Sequence, residues 1–268
     1  MIPVKNMVGY GLDYQWDMFA PAGWTCYRDY LGSMGMTMTG VELFSYDERK
    51  LHYNADATLD KFVQFARIMI AGKMHIKLTI CNWNVGQTKG IKSYCDGMFS
   101  DEWYGHVLSR IINEIPGAFD YILLEPCSEF GPSQRNKNCW KKAERWTRWS
   151  DIPWAGTLSW NYESRPKPDT VPAGWALDFH TFKSSDCGPR GCLCVTDTGN
   201  VLAELCGSKW GSGALAGNLK ALSALVRKCK AAGNGFLFYH FKSPIDKVWK
   251  CPIIDGAAIQ TIRDAWRG

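Results

Sequence analysis

The residues best suited to chemistry close short apolar runs. Tyr121–Phe130 reads Tyr-Ile-Leu-Leu-Glu-Pro-Cys-Ser-Glu-Phe. Its apolar start, Tyr121–Leu124, has the length and residue types of a buried strand. Proline does not continue a central ladder, so Glu125, just before Pro126, is expected as the last strand residue or the first of the loop. Burying a carboxylate there is costly unless it is paired or used. Two readings follow: a salt-bridged strand end, or a catalytic carboxylate at the carboxyl end of a strand. His180, in Asp178-Phe179-His180-Thr181-Phe182, and Asp197, in Val195-Thr196-Asp197-Thr198-Gly199, close two further runs. His180 reads either as a core histidine held by Asp178, which shares its strand parity, or as a site residue. Asp197 reads as a turn residue before glycine or as a second carboxylate. Two carboxylates in different environments can divide acid and base roles, one kept protonated and the other ionised.

These residues need a frame to bring them together. Strand-like runs occur at Met7–Leu12, Met36–Phe44, Met74–Cys81, Tyr121–Glu125, Ile152–Trp160, Trp175–Phe182, Cys192–Asp197 and Gly235–Phe241. Between them lie helix patterns at Cys26–Met34, Ala57–Ala71, Ser100–Ile115, Gln134–Trp149 and Asn218–Ala232, with a closing helix at Ile253–Trp266. Ala57–Ala71 shows the periodicity most plainly, with Leu59, Phe62, Val63, Phe65, Ala66, Met69 and Ile70 at helical spacing. Ser100 is placed to cap the next helix, with Asp101 and Glu102 in its first turn. Alternating strands and helices imply a parallel sheet. Eight such units over about 250 residues imply a single-domain α/β fold, a (β/α)8 TIM barrel with reduced helices after strands five and six. A doubly wound sheet is the alternative, but no glycine-rich phosphate turn follows the first strand.

In such a barrel the carboxyl ends of all eight strands converge on one mouth. The polar residues expected there are Asp13, Glu42, Asn82, Glu125, Asn161, His180, Asp197 and His240. A slip of one residue in any strand would turn its side chain to the helix layer. Trp83 and Trp160 follow strands at the mouth and read as mouth packing or as surfaces for stacking on sugar rings. Trp16, Trp210 and Trp249 lie in loops. Glu129, four residues after Glu125, is a second-ranked acid.

Composition sets limits. The chain has 268 residues, 46% of them hydrophobic, and no linker, repeat or low-complexity tract, which suits one domain with a substantial core. A net charge of +5 with scattered lysines and arginines does not support a nucleic-acid partner. Thirteen tryptophans suit sugar-stacking surfaces, although most belong in a core. Eleven cysteines leave at least one unpaired within a monomer. Cys187, Cys192 and Cys194 crowd one region, and a Cys187–Cys192 or Cys187–Cys194 disulfide fits the spacing. No paired Cys-x-x-Cys sets call for structural zinc, and no cofactor is expected. The start, Met1-Ile-Pro-Val-Lys, lacks a signal-peptide pattern, and no apolar run is long enough to span a membrane. The expectation is a chain that is cytoplasmic, exported by a non-classical route or supplied without its leader.

Taken together, Glu-Pro closing strand four, His-x-aromatic closing strand six and an acidic-x-Gly closing strand seven resemble the clan A glycoside hydrolases, the TIM-barrel families of cellulases and β-mannanases. The resemblance implies a carbohydrate substrate, Glu125 as acid/base, Asp197 as nucleophile and His180 as a residue ordering the site. Substrate-binding roles would fall to Asn82, Trp83, Trp160, Asn161, Asp13, His240 and Trp210. The sequence departs from the family at three places. Leu124 stands where the family has Asn, Asp197 stands where it has Glu, and no strand-eight Trp matches near Phe238-Tyr239-His240-Phe241. Those departures keep a second reading open: a catalytically silent barrel that binds glycan or serves as a structural module.

Overall fold

A computed structural model describes residues 4–12, 16–44, 55–82, 101–128, 178–180, 190–197, 219–239 and 256–268. Seven strands form one sheet: β1 Val8–Gly11, β2 Met38–Phe44, β3 His75–Asn82, β4 Ile122–Ser128, β5 Asp178–His180, β6 Leu193–Asp197 and β7 Gly235–Tyr239. Every pair is parallel, and the order is β4-β3-β2-β1-β7-β6-β5. The first and last described strands therefore lie side by side. This is the order of strands one to four and six to eight of the expected barrel. The expected fifth strand, Ile152–Trp160, and the expected helix Gln134–Trp149 lie outside the described residues. The helices are α1 Pro21–Ser33, α2 Ala55–Ala71, α3 Asp101–Glu114, the single turn α4 Ala118–Tyr121, α5 Leu219–Ala231 and α6 Gly256–Arg267. None of them is long and apolar enough to cross a membrane.

The two faces of the sheet carry separate apolar clusters, as strand alternation requires. On one face Tyr10, Val41, Leu43, Ile76, Leu78, Ile80, Leu124, Phe236 and Phe238 pack against the helices. On the other, Met38, Leu123, Leu193, Val195, Leu237 and Tyr239 join with Val4 and Met7 from the amino-terminal turn. This second, inner cluster draws on β2, β4, β6 and β7, so the sheet curls around it. Side-chain hydrogen bonds fix the helix layer to the strands. Tyr27 of α1 donates to the Tyr10 carbonyl at 2.5 Å and meets the Thr39 hydroxyl at 2.9 Å. Burial pushes the Tyr27 phenol up from its usual value.

Several boundaries differ from the expectation, each for a local reason. Helix α1 starts five residues before Cys26, because Pro21 fits the first helical turn, where its missing N–H is not needed. Gly35, with φ of 76°, takes the left-handed position just beyond its end. Strand β4 begins after the α4 turn, so Tyr121 is helical, and it runs past Pro126 to Ser128. Its pairing with β3 resumes at Cys81–Cys127, and β4 is the end strand of the described sheet, where proline is tolerated. Glu125 is therefore an interior strand residue and not a strand end. Trp16, weighed as a loop residue for binding, is buried against Trp24, Phe62 and Phe65, and its indole donates to the Glu42 carbonyl at 2.7 Å.

Cys192 and Cys194 lie on the helix-facing side with their Sγ atoms 3.7 Å apart, far beyond the roughly 2.05 Å of a disulfide. Contacts with the Cys192 and Cys229 thiols, and then burial, push the Cys194 thiol far up, so it behaves as an apolar core group. Cys187 lies outside the described residues.

Two glycines test the packing. A Cβ on Gly9 would press on the backbone carbonyl of Met38, whereas one on Gly32 of α1 meets nothing within 4 Å. Gly9→Ala should therefore lower the unfolding free energy by about 1–3 kcal/mol. Gly32→Ala should raise it by about 0.4–1 kcal/mol through the unfolded chain. Urea unfolding of the two variants checks both signs.

Candidate active site

Strand β3 reads His75-Ile-Lys-Leu-Thr-Ile-Cys-Asn, with Ile76, Leu78 and Ile80 facing the helices. Alternation sends Lys77 and Thr79 to the inner face. On β4, Leu124 faces the helices while Leu123 belongs to the inner cluster, so Glu125 shares the inner parity. The register pairs Glu42 with Thr79 and Thr79 with Glu125, which sets two acidic residues in one row across three strands. One row below, Gly40, Lys77 and Leu123 align.

Glu125 has 0% exposure and Lys77 only 2%; their charges meet with Nζ at 2.7 Å from Oε2. Thr79 Oγ1 donates to the same oxygen in a short hydrogen bond. Lys77 Nζ also stands 5.5 Å from the centroid of the Tyr239 ring, inside the range of a cation–π contact. Glu42 is 8% exposed. The arrangement is a buried lysine–glutamate salt bridge in the polar part of the inner face, beside the apolar cluster. Chemically, it presents a carboxylate whose orientation is fixed by two donors.

The other expected site residues divide into two groups. Asn82 ends β3 and pairs in register with Ser128 of β4. His180 ends β5, opposite Val195, and Asp197 ends β6, opposite Tyr239. Asp13, Trp83, Glu129, Trp160, Asn161, His240, Trp210 and Trp249 lie outside the described residues. Leu124, where the resembling family has Asn, is packed against the helices. Among the described residues no group of three or more His, Cys, Asp or Glu side chains is placed to hold a metal ion.

Sequence reasoning misses Lys77, Thr79 and Tyr239. The signal is present in β3: His75, Lys77 and Thr79 alternate with Ile76, Leu78 and Ile80. A strand with one polar and one apolar face usually turns the polar face to water. Here that face is inside the curl, and Lys77 and Thr79 are buried together, while His75 at the strand start is half-buried.

Comparison with solved structures shows the same fold in family 5 glycoside hydrolases. A broad-specificity endoglucanase from an uncultured bacterium superposes with a TM-score of 0.59 at 12% identity, covering 99% of this chain and 95% of that one. A family 5 enzyme from Prevotella bryantii B14 gives 0.60 at 8% identity, covering 98% and 97%. That enzyme has also been solved with a xyloglucan tetradecasaccharide. An endo-1,4-β-mannanase from Rhizomucor miehei gives 0.58 at 10% identity, covering 96% and 93%. The resemblance to clan A glycoside hydrolases thus holds at the level of fold. No family model and no curated protein sequence matches the chain.

Removing one partner of a buried ion pair leaves the other charge uncompensated. Lys77→Met should cost about 3–5 kcal/mol, and the double variant Lys77→Met/Glu125→Leu should recover most of that loss. A double-mutant cycle by urea unfolding measures it.

Proposed function

We propose that this chain is a closed (β/α)8 barrel acting as a glycoside hydrolase on a polysaccharide or oligosaccharide. Glu125 is its acid/base, Asp197 its nucleophile and His180 a residue that orders the site. The observation that supports the reading is a buried carboxylate on β4 oriented by Lys77 and Thr79, in one parallel sheet whose strands β5 and β6 end at positions 180 and 197. Closing the barrel requires one more strand between β4 and β5, and Ile152–Trp160 has the residues for it. Asn82, Trp83, Trp160, Asn161, Asp13, His240 and Trp210 would then bind sugar around the mouth.

In the reaction, the Glu125 carboxyl protonates the glycosidic oxygen as the bond to the anomeric carbon breaks. Asp197 attacks that carbon and forms a glycosyl ester. Glu125, now ionised, takes a proton from water as the water displaces the ester. Retention needs the two carboxyl groups roughly 5–5.5 Å apart, and inversion needs roughly 6.5–9.5 Å. Asp197 is one methylene shorter than the family's Glu, so the backbone of Thr196–Gly199 must lean inward for retention.

One observation favours the silent-barrel reading. Glu125 is sealed at 0% exposure and its carboxylate is committed to Lys77, which is also how a purely structural pair looks. The names of the similar structures suggest which glycans to try first: xyloglucan, β-mannan and cellulose.

Reducing-end release from these three glycans separates the readings. The enzyme reading expects turnover that falls by roughly 10²–10⁴-fold in Glu125→Gln, the usual weight of a general acid/base. Binding without turnover supports the module. Proton NMR of the first-formed anomer should show retention, and an inverted product would make Asp197 a general base.

A further inference from the structure

Two glycines on neighbouring strands lie beside the Tyr239 ring. Gly11 of β1 pairs with Tyr239 of β7, and Gly40 of β2 pairs with Lys77. A Cβ on Gly11 would strike the Tyr239 ring, and one on Gly40 would strike its hydroxyl oxygen. The ring therefore lies across β1 and β2, a placement open only because both positions lack a side chain. Its far side reaches Lys77 Nζ, 5.5 Å from the ring centroid. A lysine has a long stem with many rotamers, and fixing it in one of them needs contacts along its length.

The geometry points to a positioning chain in which Tyr239, seated on Gly11 and Gly40, orients Lys77, and Lys77 in turn aims the Glu125 carboxyl. The assignment rests on Glu125 being the site carboxylate. The described polar and charged groups around Glu125 include Lys77 and Thr79 on β3, Glu42 two strands away on β2, and Tyr239 on β7 through Lys77. Lys77 favours the ionised carboxylate, whereas Glu42, as a like charge, opposes it.

The test is a carbon-13 NMR pH titration of the whole chain labelled at glutamate carboxyls, with the Glu125 resonance identified by its loss in Glu125→Gln. Lys77→Met should raise the Glu125 midpoint by about one to three pH units. Tyr239→Leu should raise it in the same direction by less, and Tyr239→Phe, which keeps the ring, should restore the wild-type value. If Lys77→Met does not fold, Tyr239→Leu decides, since it leaves the ion pair itself in place. An unchanged midpoint in Tyr239→Leu, or a Tyr239→Phe shift as large as that of Tyr239→Leu, overturns the chain. The readout needs no substrate. A shift in a protein that cleaves none of the three glycans keeps the positioning chain and removes the enzyme reading; cleavage without the shift removes only the chain.

Discussion

Lys77 and Glu125 meet as an ion pair where neither side chain exceeds 2% exposure. Taking such ions out of water costs several kcal/mol each, and the pair is tolerable only with close geometry and further donors. Much of the inner face is arranged to meet that condition. Thr79 supplies the second donor to Oε2, and the Tyr239 ring stands against the ammonium. The parallel register, Thr79 with Glu125 and Gly40 with Lys77, brings these groups into two adjacent rows. The apolar cluster of Met38, Leu123, Leu193, Val195, Leu237 and Tyr239 lies on the same face and excludes water from below. A charge pair of this kind adds little stability by comparison with apolar packing of the same volume.

Helices and strands are legible in the sequence where periodicity is strong. Ala55–Ala71 starts two residues before the pattern predicts and ends where it predicts, because seven apolar residues at helical spacing leave no other surface to bury. The strand runs around Val41, Leu78 and Leu237 are also legible, since helix-covered parallel strands are apolar on both sides over much of their length. Positions governed by tertiary pairing are not legible. Pro126 reads as the end of β4 because a lone sequence cannot show which neighbour its missing N–H would have faced. Trp16 reads as a loop tryptophan because three aromatic partners, Trp24, Phe62 and Phe65, come from other segments. Glu125 stands out, and one of its two open readings is a salt bridge. Its partner Lys77 does not, because a lysine in mid-strand is usually assigned to solvent.

The depth of Glu125 has a functional consequence. Since β4 extends three residues beyond it to Ser128, the carboxylate lies below the strand end. In the proposed hydrolase a sugar would therefore have to pass the carboxyl ends of the strands to reach it. Wide, flat binding along the mouth would not bring a glycosidic oxygen to Glu125. The fold shared with family 5 glycoside hydrolases is compatible with such a cleft, and fold alone does not specify chemistry.

A crystal structure of the Glu125→Gln variant soaked with a xyloglucan or mannan oligosaccharide tests the acid/base role of Glu125 most directly. A glycosidic oxygen should lie within about 2.6–3.2 Å of the residue 125 side chain, the reach of a general acid. Asp197 should stand on the opposite side of the anomeric carbon. An oligosaccharide seated elsewhere, with the substituted side chain still closed off beside Lys77, would contradict the assignment of Glu125 as the reacting acid.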